Sequence, residues 1–328
     1  MNRFGNIFGI SIFGESHGPA VGVVIDGLPA GMPLSAEDFE PDLARRRAGA
    51  AGTTSRHEED RPEIVSGLYE GHTTGAPLTL LFRNGDARPA DYRALAAHYR
   101  PSHADFAAAR KFGGFNDPRG GGHFSGRLTL ALVAAGVAAK RIIGRSVRFT
   151  TRIAEIGGEC DPERFDARLA AAQAAGDSVG GVVECRVEGL PVGWGEPFFD
   201  SVESLAAHLL FAVPGIKGVE FGDGFAAARM RGSEHNDPIL NAAGETASNH
   251  AGGVTGGLTN GNPLTLRAAF KPTASIAREQ LTFHAATGGM EPLRIAGRHD
   301  VCIALRGAVA VEAAAAIALA ELKLRSQR

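Results

Sequence analysis

Disulfide-forming cysteine, membrane-length apolar runs and a dominant charge are all missing from this chain of 328 residues. Its cysteines, Cys160, Cys185 and Cys302, are scattered and contain no Cys-x-x-Cys pair, which excludes a disulfide framework and leaves no redox or zinc-ribbon signature. The longest apolar stretches, Leu128 to Ala139 and Ala313 to Ala320, fall short of the roughly 20 residues needed to cross a bilayer. Gly5 and Gly9 interrupt the apolar residues before Phe13, so no signal-peptide pattern is present and a cytoplasmic protein is expected. A net charge of −2 supplies no drive towards nucleic acid or an anionic membrane, and neither is an expected partner. The histidines include no H-E-x-x-H pair or sequence-clustered ligand set, so no metal is expected. Lysine is scarce, with 5 lysines against 29 arginines. Base composition of the genome accounts for that bias at surface positions, but guanidinium forks also bind carboxylates and phosphates bidentately, which suits a small polyanionic ligand.

What is present reads as mixed α and β structure. Glu63 to Tyr69 and Leu78 to Arg83 have strand character, and Asn84-Gly85 is a turn signal. Leu128 to Ile143 and Val309 to Lys323 are alanine-rich and predict well-packed helices; Ala167 to Ala175 predicts a short surface helix. Strands and helices do not alternate regularly enough for a doubly wound parallel sheet, so an α+β class is expected. The chain also echoes itself. Gly22-Val23-Val24 leads to Gly27-Leu28-Pro29, and Gly181-Val182-Val183 leads to Gly189-Leu190-Pro191. Each pair reads as a strand, a proline turn and then a capped helix, with Ser35 capping the first through Arg47 and Asp200 or Ser201 the second through Phe211. The expectation is one domain, 1–328, with two similar halves of roughly 1–160 and 161–328 about a pseudo-twofold axis.

The chemistry-bearing residues lie in glycine- and proline-bounded turns. Gly14-Glu15-Ser16-His17-Gly18 follows the apolar run Ile7 to Phe13, and Arg100-Pro101-Ser102-His103-Ala104-Asp105 holds a second histidine beside a carboxylate able to orient or charge it. An imidazole titrating near ~6.5 is a proton-transfer group at neutral pH. A single loop histidine is more often bonded to backbone, but this pair accompanies Gly120-Gly121-Gly122, Lys271-Pro272-Thr273-Ala274-Ser275 and Gly297-Arg298-His299-Asp300. The triple glycine precedes a helix and offers backbone N–H groups to an anion, without the lysine or spacing of a Walker loop. Gly222-Asp223-Gly224-Phe225-Ala226-Ala227 fits a loose dinucleotide pattern, but the segment after it is too short for the helix of such a fold.

This set of motifs, from about Phe4 to Glu312, resembles the chorismate synthases, and Gly218 to Phe225 and Ser248 to Gly253 also resemble segments of that family. The resemblance implies antiparallel sheets enclosing a helical layer. It implies a lyase of the shikimate pathway that removes phosphate and a ring proton from 5-enolpyruvylshikimate 3-phosphate to give chorismate. The family requires reduced FMN without net redox change, is associated with NADP, and is usually a homotetramer. By the same resemblance His17, His103 and Asp300 match catalytic positions, while Ser125, Gly215, Gly256, Lys271, Pro272, Thr273, Ala274, Ser275 and Arg298 fall where the family contacts FMN. Ser16, Arg46, Arg100 and Arg127 are candidates for the substrate's phosphate and carboxylates, with Arg46 also a cofactor candidate. Two departures stand out. His123-Phe124 replaces an arginine-serine pair usual in the family, and Ala50-Ala51 stands where a second arginine is often found, which weakens any nicotinamide contact there. A flavin-dependent oxidoreductase and a non-catalytic flavin-binding homologue are the alternative readings.

Overall fold

The computed structural model describes residues 2–54, 58–85, 98–295 and 299–327. Its strands in chain order are β1 (Arg3–Phe4), β2 (Gly9–Gly14), β3 (Ala20–Asp26), β4 (Glu63–Ser66), β5 (Leu68–Tyr69), β6 (His72–Thr73) and β7 (Leu78–Arg83). They continue with β8 (Arg148–Ile156), β9 (Gly181–Glu188), β10 (Ile216–Phe221), β11 (Val254–Thr255), β12 (Leu258–Thr259), β13 (Leu264–Phe270), β14 (Gln280–His284) and β15 (Gly289–Leu293). The α-helices are α1 (Glu40–Arg46), α2 (Asp105–Lys111), α3 (Thr129–Ile143), α4 (Phe165–Ala174), α5 (Val202–Ala212), α6 (Gly232–His235) and α7 (Ala304–Ser326).

Two larger antiparallel sheets form, in the orders β1-β2-β3-β7-β4 and β10-β13-β9-β8, beside the two-stranded pairs β5-β6, β11-β12 and β14-β15. Strand alternation buries one face of each: Leu78, Leu80 and Phe82 of β7 point inward, as do Leu264, Leu266, Ala268 and Phe270 of β13. Helix α3 packs against β3 of the first sheet, α7 against β8 and β9 of the second, and the two helices pack on each other. The helical layer is therefore enclosed by the sheets, an α+β arrangement. Both helices are rich in alanine because they pack closely at their crossing: a Cβ on Gly136 would lie 2.5 Å from that of Ala313.

The two sheets share one chain order. Setting the edge strand β1 aside, each runs first, second, fourth, third strand across the sheet, with a helix before its third strand and a buried helix after its fourth. The Gly-Leu-Pro turns sit at matching places, after β3 and after β9. Gly27 and Gly189 have φ of 79° and 81°, and a Cβ on either would meet the carbonyl oxygen of Ile7 or of Ser146, at 1.8 and 2.3 Å. Those two carbonyls each belong to the residue two before the sheet's opening strand, β2 or β8. Because β8 pairs into the second sheet, the sheets divide the chain between α3 and β8 and not at residue 160.

Local differences from the sequence expectations have physical causes. Helix α7 starts at Ala304, ahead of Val309, and its first turns include Gly307, which packs on Phe270, where a Cβ would meet the ring at 2.4 Å. Helix α5 is capped by Ser201, whose Oγ accepts from Ser204 N at 3.0 Å, and not by Asp200. The strand expected over 63–69 breaks at Gly67, whose φ of 88° and contact with Leu78 end the pairing of β4. One tie spans nearly the whole chain: fully buried Glu321 of α7 accepts from the backbone N–H groups of Asn6, Ile7 and Phe8 at 2.7–3.3 Å.

Candidate active site

His17 lies in the short connection from β2 to β3, held from several sides. Ser16 N donates to Gly122 O at 3.1 Å, and Asn84 Nδ2 donates to the carbonyls of Glu15 and Gly18 at 3.1 and 2.9 Å. Asn84, expected to mark a turn, is thus a clamp on the His17 loop. Gly120, Gly121 and Gly122 all have positive φ, and a Cβ on Gly120 would fall 2.3 Å from the His17 ring. The triple glycine exists here for close approach to an imidazole as much as for any anion, and Gly121 N is already spent on Pro118 O at 3.4 Å. His123 Nδ1 donates to Gly14 O at 2.7 Å, which fixes its tautomer and leaves Nε2 for a ligand.

A charged cluster is buried beside this loop. Arg46 donates to Thr129 Oγ1 and Gly126 O, both at 2.9 Å; Arg127 donates to Asn84 Oδ1 at 3.1 Å and to Asp60. Arg46 Nη1, 3.5 Å from Asp60 Oδ2, and Arg127 Nη2 are buried without a hydrogen bond among the described residues. Burial, reinforced by the neighbouring guanidinium of Arg306, lowers the pKa of Arg46 to about 9. Arg306 also donates to Arg46 O at 2.9 Å and to Asp300 Oδ2 at 3.2 Å, while Asp300 Oδ1 accepts from Thr54 N at 2.8 Å. Orphaned guanidinium nitrogens in a buried, cation-crowded wall call for an anion.

His103 stands on the opposite wall. Its Nδ1 donates to Pro101 O at 3.0 Å, so Nε2 is the acceptor of the Ser275 hydroxyl at 2.8 Å. Asp105 does not orient this ring as expected; it takes Arg100 in a fork, 2.7 Å to Nε and 2.8 Å to Nη2, because the guanidinium is the stronger partner. Burial and then the Arg100 charge lower the His103 pKa to about 4, so the ring is neutral at neutral pH. Lys271 Nζ donates to Ser102 O at 2.7 Å, and burial lowers its pKa. Lys271 N donates to Gly215 O at 2.9 Å; a Cβ on Gly215 would strike Ile303 at 2.5 Å, which explains the glycine.

These walls enclose a cavity of about 680 Å³. It gathers Ser16, His17, Arg46, Arg100, His103, Ser125, Arg127, Gly215, Lys271 to Ser275 and Asp300. Gly256 is not brought in; it occupies the turn between β11 and β12, away from the cavity lining. Arg298 lies outside the described residues. Of the departures, His123 and Phe124 line the cavity while Ala50 and Ala51 do not, and Phe124 rests against Phe112 with ring centroids 6.2 Å apart. Asp60, Thr54 and Arg306 are site residues that the sequence reading missed. None sits in a glycine-bounded motif, and only the φ of 52° at Asp60, invisible in sequence, marks it as unusual.

The family model for chorismate synthase matches residues 8–324. The chain is 60% identical over 328 residues to the chorismate synthase of Chitinophaga pinensis, covering 100% of this chain and 98% of that one. It is 44% identical to the chorismate synthase of Opitutus terrae, over 99% of this chain and 97% of that one. A crystal structure of a chorismate synthase superposes with a TM-score of 0.76 at 25% identity, covering 98% of this chain and 93% of the other. The fold is therefore that of an enzyme family, and in this chain the cavity described above lies between connections of the two sheets. The chain belongs to the chorismate synthase family.

Proposed function

We propose that this protein is a lyase that eliminates phosphate and a ring proton from 5-enolpyruvylshikimate 3-phosphate in the anti-1,4 sense, giving chorismate. The observation that carries the reading is the convergence of His17, His103 and Asp300 on one cavity whose wall holds the orphaned nitrogens of Arg46 and Arg127. A substrate bearing a phosphate and two carboxylates matches that wall in charge and in fork geometry.

The cavity also fits reduced FMN. Its volume lies within the ~300–1,000 Å³ of ligand pockets, and it combines apolar surface from Phe124, Phe270 and Ile303 with the polar Lys271–Ser275 segment and Ser125. When bound, reduced flavin supplies transient electron density that helps the phosphate leave and returns to its starting state. Ser125, Gly215 and Lys271 to Ser275 hold it in this reading, and Arg46 with Arg127 holds the substrate's anionic groups. His17, pinned by Gly120, protonates the departing phosphate. His103 waits as a neutral base with Nε2 on Ser275; a polyanion in the cavity offsets the charges of Arg100 and Lys271 and so raises the ring's proton affinity. Asp300, steadied by Thr54 and Arg306, accepts a proton in relay. Homotetrameric assembly, a cytoplasmic location and a link to NADP belong to the same reading and rest on family resemblance.

The test is an anaerobic assay of the purified protein with substrate, reduced FMN and a chemical reductant. Chorismate should form only with reduced FMN present and with no stoichiometric loss of reductant. Reductant consumption matching product would make the protein an oxidoreductase, and flavin binding without turnover would make it a binding protein.

A further inference from the structure

His98, His284 and Glu291 come together outside the cavity, although the two histidines are 186 positions apart in sequence. One ligand atom from each lies within 4.8 Å of the other two. His98 Nε2 is 3.7 Å from Glu291 Oε2, and His284 Nδ1 is 3.9 Å from Glu291 Oε1. The two imidazoles meet edge to face with centroids 4.3 Å apart. Both ring nitrogens of His98 are buried with no hydrogen-bond partner among the described residues, although a neutral imidazole has one donor and one acceptor to satisfy. Burying a polar ring in this way costs free energy unless something fills the gap.

We propose that these three side chains bind a divalent zinc ion. Two imidazoles and one carboxylate form a ligand set that zinc accepts, with water at the fourth position. Tetrahedral ligands at about 2.0–2.2 Å from the metal stand roughly 3.3 Å from one another, and the three ligand atoms here lie within 4.8 Å, so side-chain movements of about 1 Å close the site. The support behind the ligands is already built. His284 Nδ1 donates to Thr287 Oγ1 at 3.1 Å, which leaves Nε2 as the nitrogen offered to the metal, and the same hydroxyl donates to Glu291 Oε1 at 2.6 Å, orienting both side chains on the β14–β15 hairpin.

The ion would fasten that hairpin to the segment entering the active site. His98 forms a β-bridge with His284, Tyr99 N donates to Phe283 O at 3.2 Å, and Arg100 and His103 follow at once. The role inferred for zinc is positional: it holds the His103 wall by its root and takes no part in the elimination.

The experiment titrates zinc chloride into chelator-treated full-length protein in competition with a chromophoric chelator, using a Cys160→Ser background to remove the exposed thiol. One zinc per chain should bind, and the affinity should fall at least about 10-fold in Glu291→Gln and in His284→Gln, as losing a metal ligand or its support does. Glu291 is partly exposed, so Glu291→Gln is expected to fold, which circular dichroism verifies. Cobalt(II) in place of zinc should give the intense visible absorption of a four-coordinate site in the parent and not in Glu291→Gln. Equal zinc affinity in the parent and both variants, or no binding by the parent, overturns the proposal.

Discussion

The connection from β7 to α3 and the connection from β13 to α7 hold corresponding places in the two halves, yet they carry different chemistry. The first brings Arg100, His103, the triple glycine, Ser125 and Arg127; the second brings Lys271 to Ser275 and Asp300. Both empty into the same cavity, and they meet directly where His103 Nε2 accepts from Ser275. By contrast, the β2–β3 turn carries His17, whereas its counterpart between β8 and β9 holds α4 and contributes nothing to the cavity lining. A matching strand order places two long loops face to face, and the differences between the loops make a site of them. We infer that the halves are two versions of one unit, specialised at their loops.

The strongest way to break the comparison is at the histidines. His17→Ala and His103→Ala should each lower turnover by ~10²–10⁴ while flavin binding and thermal unfolding stay nearly unchanged. Near-normal turnover in either variant would remove that histidine from the chemistry. Next comes the buried charge that only the first half supplies. Asp60→Asn leaves Arg46 and Arg127 facing each other without their shared carboxylate, and should cost about 3–5 kcal/mol in urea unfolding. An unchanged midpoint would show that the cluster is solvated.

The glycine turns sharpen the comparison instead. Gly27→Ala and Gly189→Ala each force a Cβ into a carbonyl at a left-handed position, so both should destabilise by about 1–3 kcal/mol. Markedly unequal losses would mean that the two turns are not equivalent. The smallest effect is a pH dependence. The unfolded chain protonates His103 near ~6.5 but the folded chain only near 4, so stability should fall as pH drops through that window, and the slope should flatten in His103→Gln. Glu312 titrates in a separate window: burial opposes its charge, but Arg45 and Lys140 hold it at about 2, so its contribution is kept above ~4.5 and lost below.

Much of this arrangement was legible in the sequence because local patterns dictated it. Alternating apolar residues marked β7, alanine-rich runs marked α3 and α7, and the paired Gly-Leu-Pro signals marked turns at matching sheet positions. Most named site residues reached the cavity for a related reason: glycine and proline fix loop conformation locally. The misreadings involve partners chosen by distance in space. Asp105 stands beside His103 in sequence, but Arg100 claims it. Asp60 gains its role from Arg46 of α1 and from Arg127 in the turn before α3, and nothing near it in sequence announces two guanidiniums. Gly256 shares the glycine-rich look of the site loops while occupying a separate turn. His98 and His284 stand 186 positions apart in sequence, and only the hairpin brings them together.

The Glu321 carboxylate has a consequence for how the molecule comes into being. Its three amide partners lie 313–315 residues earlier, so the tie closes one of the longest loops the chain can make. Contacts of such separation form late, since the entropy of closing the loop precedes any reward from it. The opening strands can pair with one another early, but their anchor emerges only with α7. Until then α3 and the second sheet lack the helix that packs on both, and a growing chain is open to aggregation or chaperone capture through those faces.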